Sequence, residues 1–88
     1  MADVVWTRRA TVDVLVIRDH IGQFAPVAAQ RTALRLRAAG DSLENFPERG
    51  RAIASGRREL VTVPPYLIRY RVKAGVVERL TVRHGARL

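Results

Sequence analysis

The apolar residues of this chain change their period once along its length, and that change decides its fold class. Ala10, Val14, Ile17, Ile21 and Phe24 recur at spacings of four and three, one face of an amphipathic helix. Val12, Val14 and Val16 also alternate as a strand would, but only the helical period takes in Ile21 and Phe24. Thr7 stands where its hydroxyl can cap the free amides of the first turn. Pro26 fits a first helical position. Ala29, Ala33, Leu36, Gly40 and Leu43 then form a second helical stripe that stops before Pro47. A glycine inside a helix costs about 1 kcal/mol relative to alanine, so Gly40 is expected to mark a close approach to the first helix. The link around Phe24-Ala25-Pro26 is short, which makes the two helices antiparallel neighbours.

After Pro47 the helical period is gone. Pro47 to Arg58 (PERGRAIASGRR) reads as an irregular loop broken by Gly50 and Gly56. Three strands are expected beyond it: Glu59 to Val63, Tyr66 to Lys73 after Pro64-Pro65, and Val76 to His84 after the hairpin signal Lys73-Ala74-Gly75. Val4-Val5-Trp6 is a further short strand. Helices and strands in separate blocks indicate an α+β domain: an N-terminal strand, an antiparallel two-helix hairpin, then a three-stranded antiparallel sheet (β-α-α-β-β-β) with the hairpin on one face. At 88 residues the chain is expected to be a single domain spanning 1–88. A domain of this size is marginally stable, so a partner that covers apolar surface would add stability as well as control.

Charge gives the second constraint. The chain carries a net +8, and fifteen of its sixteen cations are arginine, Lys73 being the lysine. Residues 1–46 hold six arginines against five acids, whereas residues 47–88 hold ten cations against three acids. The C-terminal half is therefore where an anionic partner should dock, and arginine supplies planar forks suited to carboxylate or phosphate. With no cysteine there is neither a disulfide framework nor a thiolate metal site. His20 and His84 lie far apart in the chain and make a weak case for a metal. His20, among Arg18 and Asp19, reads as a surface residue. No nucleotide-binding glycine motif occurs, Ser42 and Ser55 lack a nucleophile motif, and the carboxylates are scattered. No cofactor is expected. No apolar run is long enough for a membrane span, and MADVVWTRR lacks the order of an export signal. A cytoplasmic protein without a membrane partner is expected.

Strand alternation assigns faces. Ile68, Tyr70 and Val72 share one face, and Arg69, Arg71 and Lys73 the other. Leu80 and Val82 share a face, opposite Arg79, Thr81 and Arg83. If the apolar set meets the helices, Arg69, Arg71, Arg79 and Arg83 form a cationic ribbon on the open face, with Glu78 on the other parity.

Several segments together resemble the RelE/ParE superfamily of toxins. WTRRATVDVLVIRDHI resembles its first strand and helix, and LENFPERGR the end of its second helix and the following loop. RRELVTVPPYLIRYRV and VVERLTVRHGAR resemble its C-terminal sheet and closing motif. The resemblance implies a toxin held in a hetero-oligomer with a cognate antitoxin, ParD-like, whose acidic amphipathic C-terminal segment wraps the toxin. RelE-like members are ribosome-dependent ribonucleases that cut messenger RNA. ParE-like members poison DNA gyrase and need no nuclease centre.

Two of the five groups of the nuclease pattern are present here. Arg58 falls at one expected cation after the loop, and Leu60 at the second. Leu67 takes the place of a strand-opening arginine. Arg87 matches the arginine past the last strand, and no tyrosine follows it. Cleavage through the 2′-hydroxyl needs a base, an acid and cations for the phosphate. An ordinary arginine stays protonated and is a poor base. His84 is the candidate base, or else a structural histidine at a strand end. The HGAR ending resembles ParE-like members. Catalytic candidates are thus Arg58, His84 and Arg87, and the binding set is Arg57, Arg58, Arg69, Arg71, Arg79, Arg83 and Arg87. The expected activity is gyrase inhibition by a non-enzyme. The alternatives are a RelE-like endoribonuclease and an inactive interaction module.

Overall fold

A computed structural model describes residues 3–85. The chain runs β1 (Asp3–Trp6), α1 (Arg8–Gly22), α2 (Pro26–Asp41), β2 (Arg51–Ala52), β3 (Arg57–Val63), β4 (Tyr66–Lys73) and β5 (Val76–His84). The strands form one mixed sheet in the order β1-β5-β4-β3-β2, with β1 parallel to β5 and the other pairs antiparallel. The α+β class holds, but the sheet has five strands rather than three. The N-terminal strand is not a separate piece: it takes the free edge of β5. The segment expected to be irregular also contributes a short edge strand, because Arg51 and Ala52 pair with Glu59 and Arg58.

The hairpin forms for the local reasons visible in the chain. The Thr7 hydroxyl accepts from the Ala10 amide at 3.2 Å and opens α1. The same hydroxyl donates to the Arg79 carbonyl at 2.7 Å, which fixes the start of α1 over β5. Pro26 opens α2. Ala10 is fully buried, and Val14 and Ile17 pack against the core. Phe24 does not continue this stripe: it lies beyond Gly22 in the interhelical turn and is 78% exposed. From α2, Leu36 and, just past its end, Leu43 enter the same core as Leu60, Ile68, Tyr70, Val77 and Val82. Gly40 does mark a close approach, but to the sheet rather than to α1. A Cβ there would sit 2.7 Å from Trp6 Cη2 and 2.9 Å from Arg79 Cδ.

One irregularity decides which side chains face which way. Arg69 pairs with Thr81, yet Tyr70 pairs with Arg79, so Leu80 is the extra residue of a β-bulge. A bulge inserts one residue and reverses the alternation on its two sides. Val77 and Arg79 before it, and Val82 after it, all turn toward the helices and are buried. Thr81 and Glu78 share the open face with their cross-strand partners Arg69 and Arg71. Simple alternation across Leu80 therefore misplaces Arg79 and Glu78.

Candidate functional site

Arg79 is the first correction to the expected ribbon. Its side chain is fully buried on the helix side, with its guanidinium 4.6 Å from the Trp6 ring centroid. One terminal nitrogen donates to the Gly40 carbonyl at 3.2 Å, while the other terminal nitrogen and Nε are buried without a partner. No carboxylate bonds it directly, and burial pushes its pKa down to about 10 against a weaker opposing pull from Asp41. Asp41 instead accepts from Trp6 Nε1 at 3.0 Å and pairs with Arg37 at 3.5 Å. The ring of Trp6 thus lies between sheet and α2 as a stacking platform for a buried cation. This residue cannot meet an anionic macromolecule.

Arg69 and Arg71 do face away from the helices, and they are not bare; Arg83, at the end of β5, also lines a groove against α1. Arg69 Nε donates to Glu59 at 2.8 Å, and Arg51 donates to the other carboxylate oxygen at 3.0 Å. Glu59 is only 7% exposed, and these hydrogen bonds, Arg69 first, hold its pKa below 4.5. Arg71 pairs with Glu78 at 2.9 Å across the sheet. Arg57 stands directly opposite Arg71 in register and adds a cation to that face. Among the described residues, Arg51, Arg57, Arg69 and Arg71 share the face with Glu59 and Glu78, so it stays cationic but is organised as an ion-pair ladder. Arg51 was absent from the expected set. The run PERGRAIASGRR carries four arginines against one glutamate, which was the available signal.

Arg58 points the other way, toward the loop after α2. Its guanidinium donates to the carbonyls of Gly50 at 2.8 Å and Glu48 at 3.4 Å. That loop is fastened from beneath by Tyr70. Its hydroxyl accepts from the Gly50 amide and donates to the Pro47 carbonyl, both at 2.8 Å. Burial raises the Tyr70 pKa. Gly50 is required here, since a Cβ would come 2.7 Å from the Tyr70 hydroxyl and 2.8 Å from the Glu59 carbonyl. Above the loop opens a cleft of about 1040 Å³ between the end of α2 and the sheet, lined by Phe46, Arg49, Arg58 and Val72 among others.

His84 packs edge-on against Tyr66 with ring centroids 5.6 Å apart. It shares a groove with His20, Asp13 and Arg83 between α1 and the end of β5. The structure thus brings together two histidines that are far apart in the sequence. Asp13 is committed to structure: its carboxylate accepts the Val82 amide at 3.0 Å, on the edge of β5 that β1 does not reach, and pairs with Arg9 at 3.1 Å. Among the described residues no cluster of three or more metal ligands occurs. Arg87 lies outside the described residues.

Comparison with known proteins fits this architecture. Residues 4–88 match the family described as "ParE toxin of type II toxin-antitoxin system, parDE". The chain belongs to the ParE toxin family. It is 60% identical over 88 residues, the full length of both chains, to "Toxin RelE2" of Caulobacter vibrioides. It is 38% identical over 82 residues to "Putative toxin Y4kP" of Sinorhizobium fredii, covering 91% of this chain and 84% of that one. A solved structure described as "Chromosomal ParDE TA system from P. aeruginosa" superimposes with a TM-score of 0.84 at 25% identity, over 96% of each chain. The protein is therefore a type II toxin of the RelE/ParE superfamily, and membership of such a module implies a cognate antitoxin. Among the described residues no helix is long and apolar enough to cross a membrane.

Proposed function

We propose that this ParE-family toxin acts in the cytoplasm by binding rather than cutting, inhibits DNA gyrase, and is neutralised by a ParD-like antitoxin with an acidic amphipathic C-terminal segment. The supporting observation is what occupies the positions where a RelE-like nuclease carries cations. Leu60 and Leu67 stand there, and both are buried, at 3% and 9% exposure. Arg58, the one described cation of that set, is bonded to loop carbonyls. Arginine alone supplies neither base nor acid for the 2′-hydroxyl reaction.

A ribonuclease is the second reading, favoured by His20 and His84 lining one groove beside Arg83. Inducing the toxin without its antitoxin separates the two. Gyrase poisoning gives filamentation and an SOS response with messages intact by primer extension. Cuts at codon boundaries in translated messages would overturn the binding mode. Growth unaffected by induction would instead mark an inactive interaction module.

A further inference from the structure

Three features meet in the groove between α1 and the end of β5, which holds about 550 Å³. The first is a row along α1. Val12, Val16 and His20 follow one another at a spacing of four and so share a helix face. Val16 is 59% exposed, and with Ile17 and Val82 it gives the groove apolar walls. The second is charge. Among the described residues, the ionisable groups lining the groove are Asp13 and His20 from α1, Tyr66 from β4, and Arg83 and His84 from β5. Asp13 is the acid of this set, and both its oxygens are engaged, by the Val82 amide and by Arg9. Beside His20 on α1, Arg18 and Asp19 stand 3.9 Å apart and largely offset each other. A phenol is uncharged near neutrality. Arg83 is thus the constant cation, and the imidazoles are the groups whose charge can change near neutral pH.

The third feature is placement. His20 meets Phe24 in a T-shaped contact with centroids 6.0 Å apart, and His84 meets Tyr66 in the same way at 5.6 Å. Each contact restricts the turning of its imidazole. Charge gained there arises at fixed points, beside Arg83 and next to an apolar wall. Such a groove complements a segment that carries carboxylates on one side and apolar groups on the other.

We propose that this groove couples antitoxin binding to proton uptake: it receives a carboxylate of the antitoxin's acidic amphipathic segment, and protonation of His20 and His84 tightens the grip. The proposal rests on the antitoxin reading above and adds its regulation. A carboxylate seated beside an imidazole favours the imidazolium, so the complex holds protons that the free toxin releases. The added affinity is complete below the range in which the free histidines titrate. It is lost as pH rises through the range of the bound ones. An alkaline shift therefore loosens the complex, and an acid shift secures it.

The test is calorimetric titration of the purified full chain with its full-length cognate antitoxin, in buffers of different ionisation enthalpy, with affinities from competition at acid and alkaline pH. Wild type should take up about half a proton per toxin near pH 6.5 and bind about tenfold more tightly near pH 5.5 than near pH 8. His20→Gln, at an exposed position, should keep about half of that uptake. The double variant His20→Gln/His84→Gln should lose it. Arg83→Gln should weaken binding at both pH values and keep the uptake, because its charge does not titrate in this range. A complex that forms without proton uptake would overturn the proposal alone. So would uptake that persists unchanged in His20→Gln or in the double variant, since the protons would then enter elsewhere. No complex at any pH would overturn the antitoxin reading and this proposal with it.

Discussion

The two faces of the sheet treat the same residue type in opposite ways. On the helix side Arg79 is sealed in without a bonded carboxylate, stacked on Trp6 and satisfied at one nitrogen only. On the open side Arg51, Arg69 and Arg71 keep contact with water and hold carboxylates at 2.8 to 3.0 Å. The difference lies in what each arginine is for. A buried guanidinium loses hydration that one carbonyl and an aromatic face only partly replace, so Arg79 contributes mainly as a long packed stem. The exposed arginines contribute little to stability individually, and what they retain is charge presented to solvent. Within the open face Glu59 is the exception. It is nearly buried, so its arginines neutralise a carboxylate that would otherwise be costly.

Substitutions can break this contrast in order of size. Arg79→Ala should have the largest effect, about 3 kcal/mol of destabilisation by urea or thermal unfolding, because it opens a cavity under Trp6. Arg79→Met, which keeps the stem and removes the charge, should fall within about 1 kcal/mol of wild type. If Met costs as much as Ala, the charge rather than the stem holds the site. Tyr70→Phe should cost about 2 kcal/mol by the same measurement, since it orphans the Gly50 amide and the Pro47 carbonyl.

Glu59→Gln is smaller, about 1 kcal/mol at neutral pH, and its signature is in the pH profile. The folded pKa of Glu59 lies below its unfolded value near 4.5. Its contribution is therefore complete above pH 4.5 and is lost as pH falls through the folded value. The variant should lack that part of the acid slope; an acid profile identical to wild type would remove the ion-pair account. Arg71→Gln, at an exposed pair, should change stability by less than about 0.5 kcal/mol. Charge reversal at Arg69 would confound binding with stability by leaving Glu59 buried opposite a second acid, so Arg57 and Arg71 are the cleaner pair for testing partner affinity.

Much of the fold was readable because each local signal agreed with the next. Thr7, Pro26 and the Ala29-Leu36-Gly40-Leu43 stripe all specify the hairpin, and Tyr66–Lys73 and Val76–His84 have the bounds that alternation gave them. The site was less legible, and one residue explains most of the loss. Leu80 looks like any apolar residue of an alternating strand, and nothing local marks it as a bulge. Its insertion is fixed by long-range pairing with β4 and by the Thr7 hydroxyl, which also donates to its carbonyl at 3.1 Å. That single slip carried Arg79 inside and brought Glu78 out beside Arg71. The pairing of β1 with β5 and the placing of His20 and His84 on one groove are likewise tertiary events that span the chain.

We propose that this toxin disables gyrase by occupying it and performs no cleavage itself. The decisive assay is supercoiling of relaxed plasmid by purified gyrase, with toxin added in excess either alone or already bound to its antitoxin. The account predicts loss of supercoiling with accumulation of gyrase-cleaved DNA, prevented when antitoxin is bound first. Full supercoiling activity at saturating toxin would contradict it.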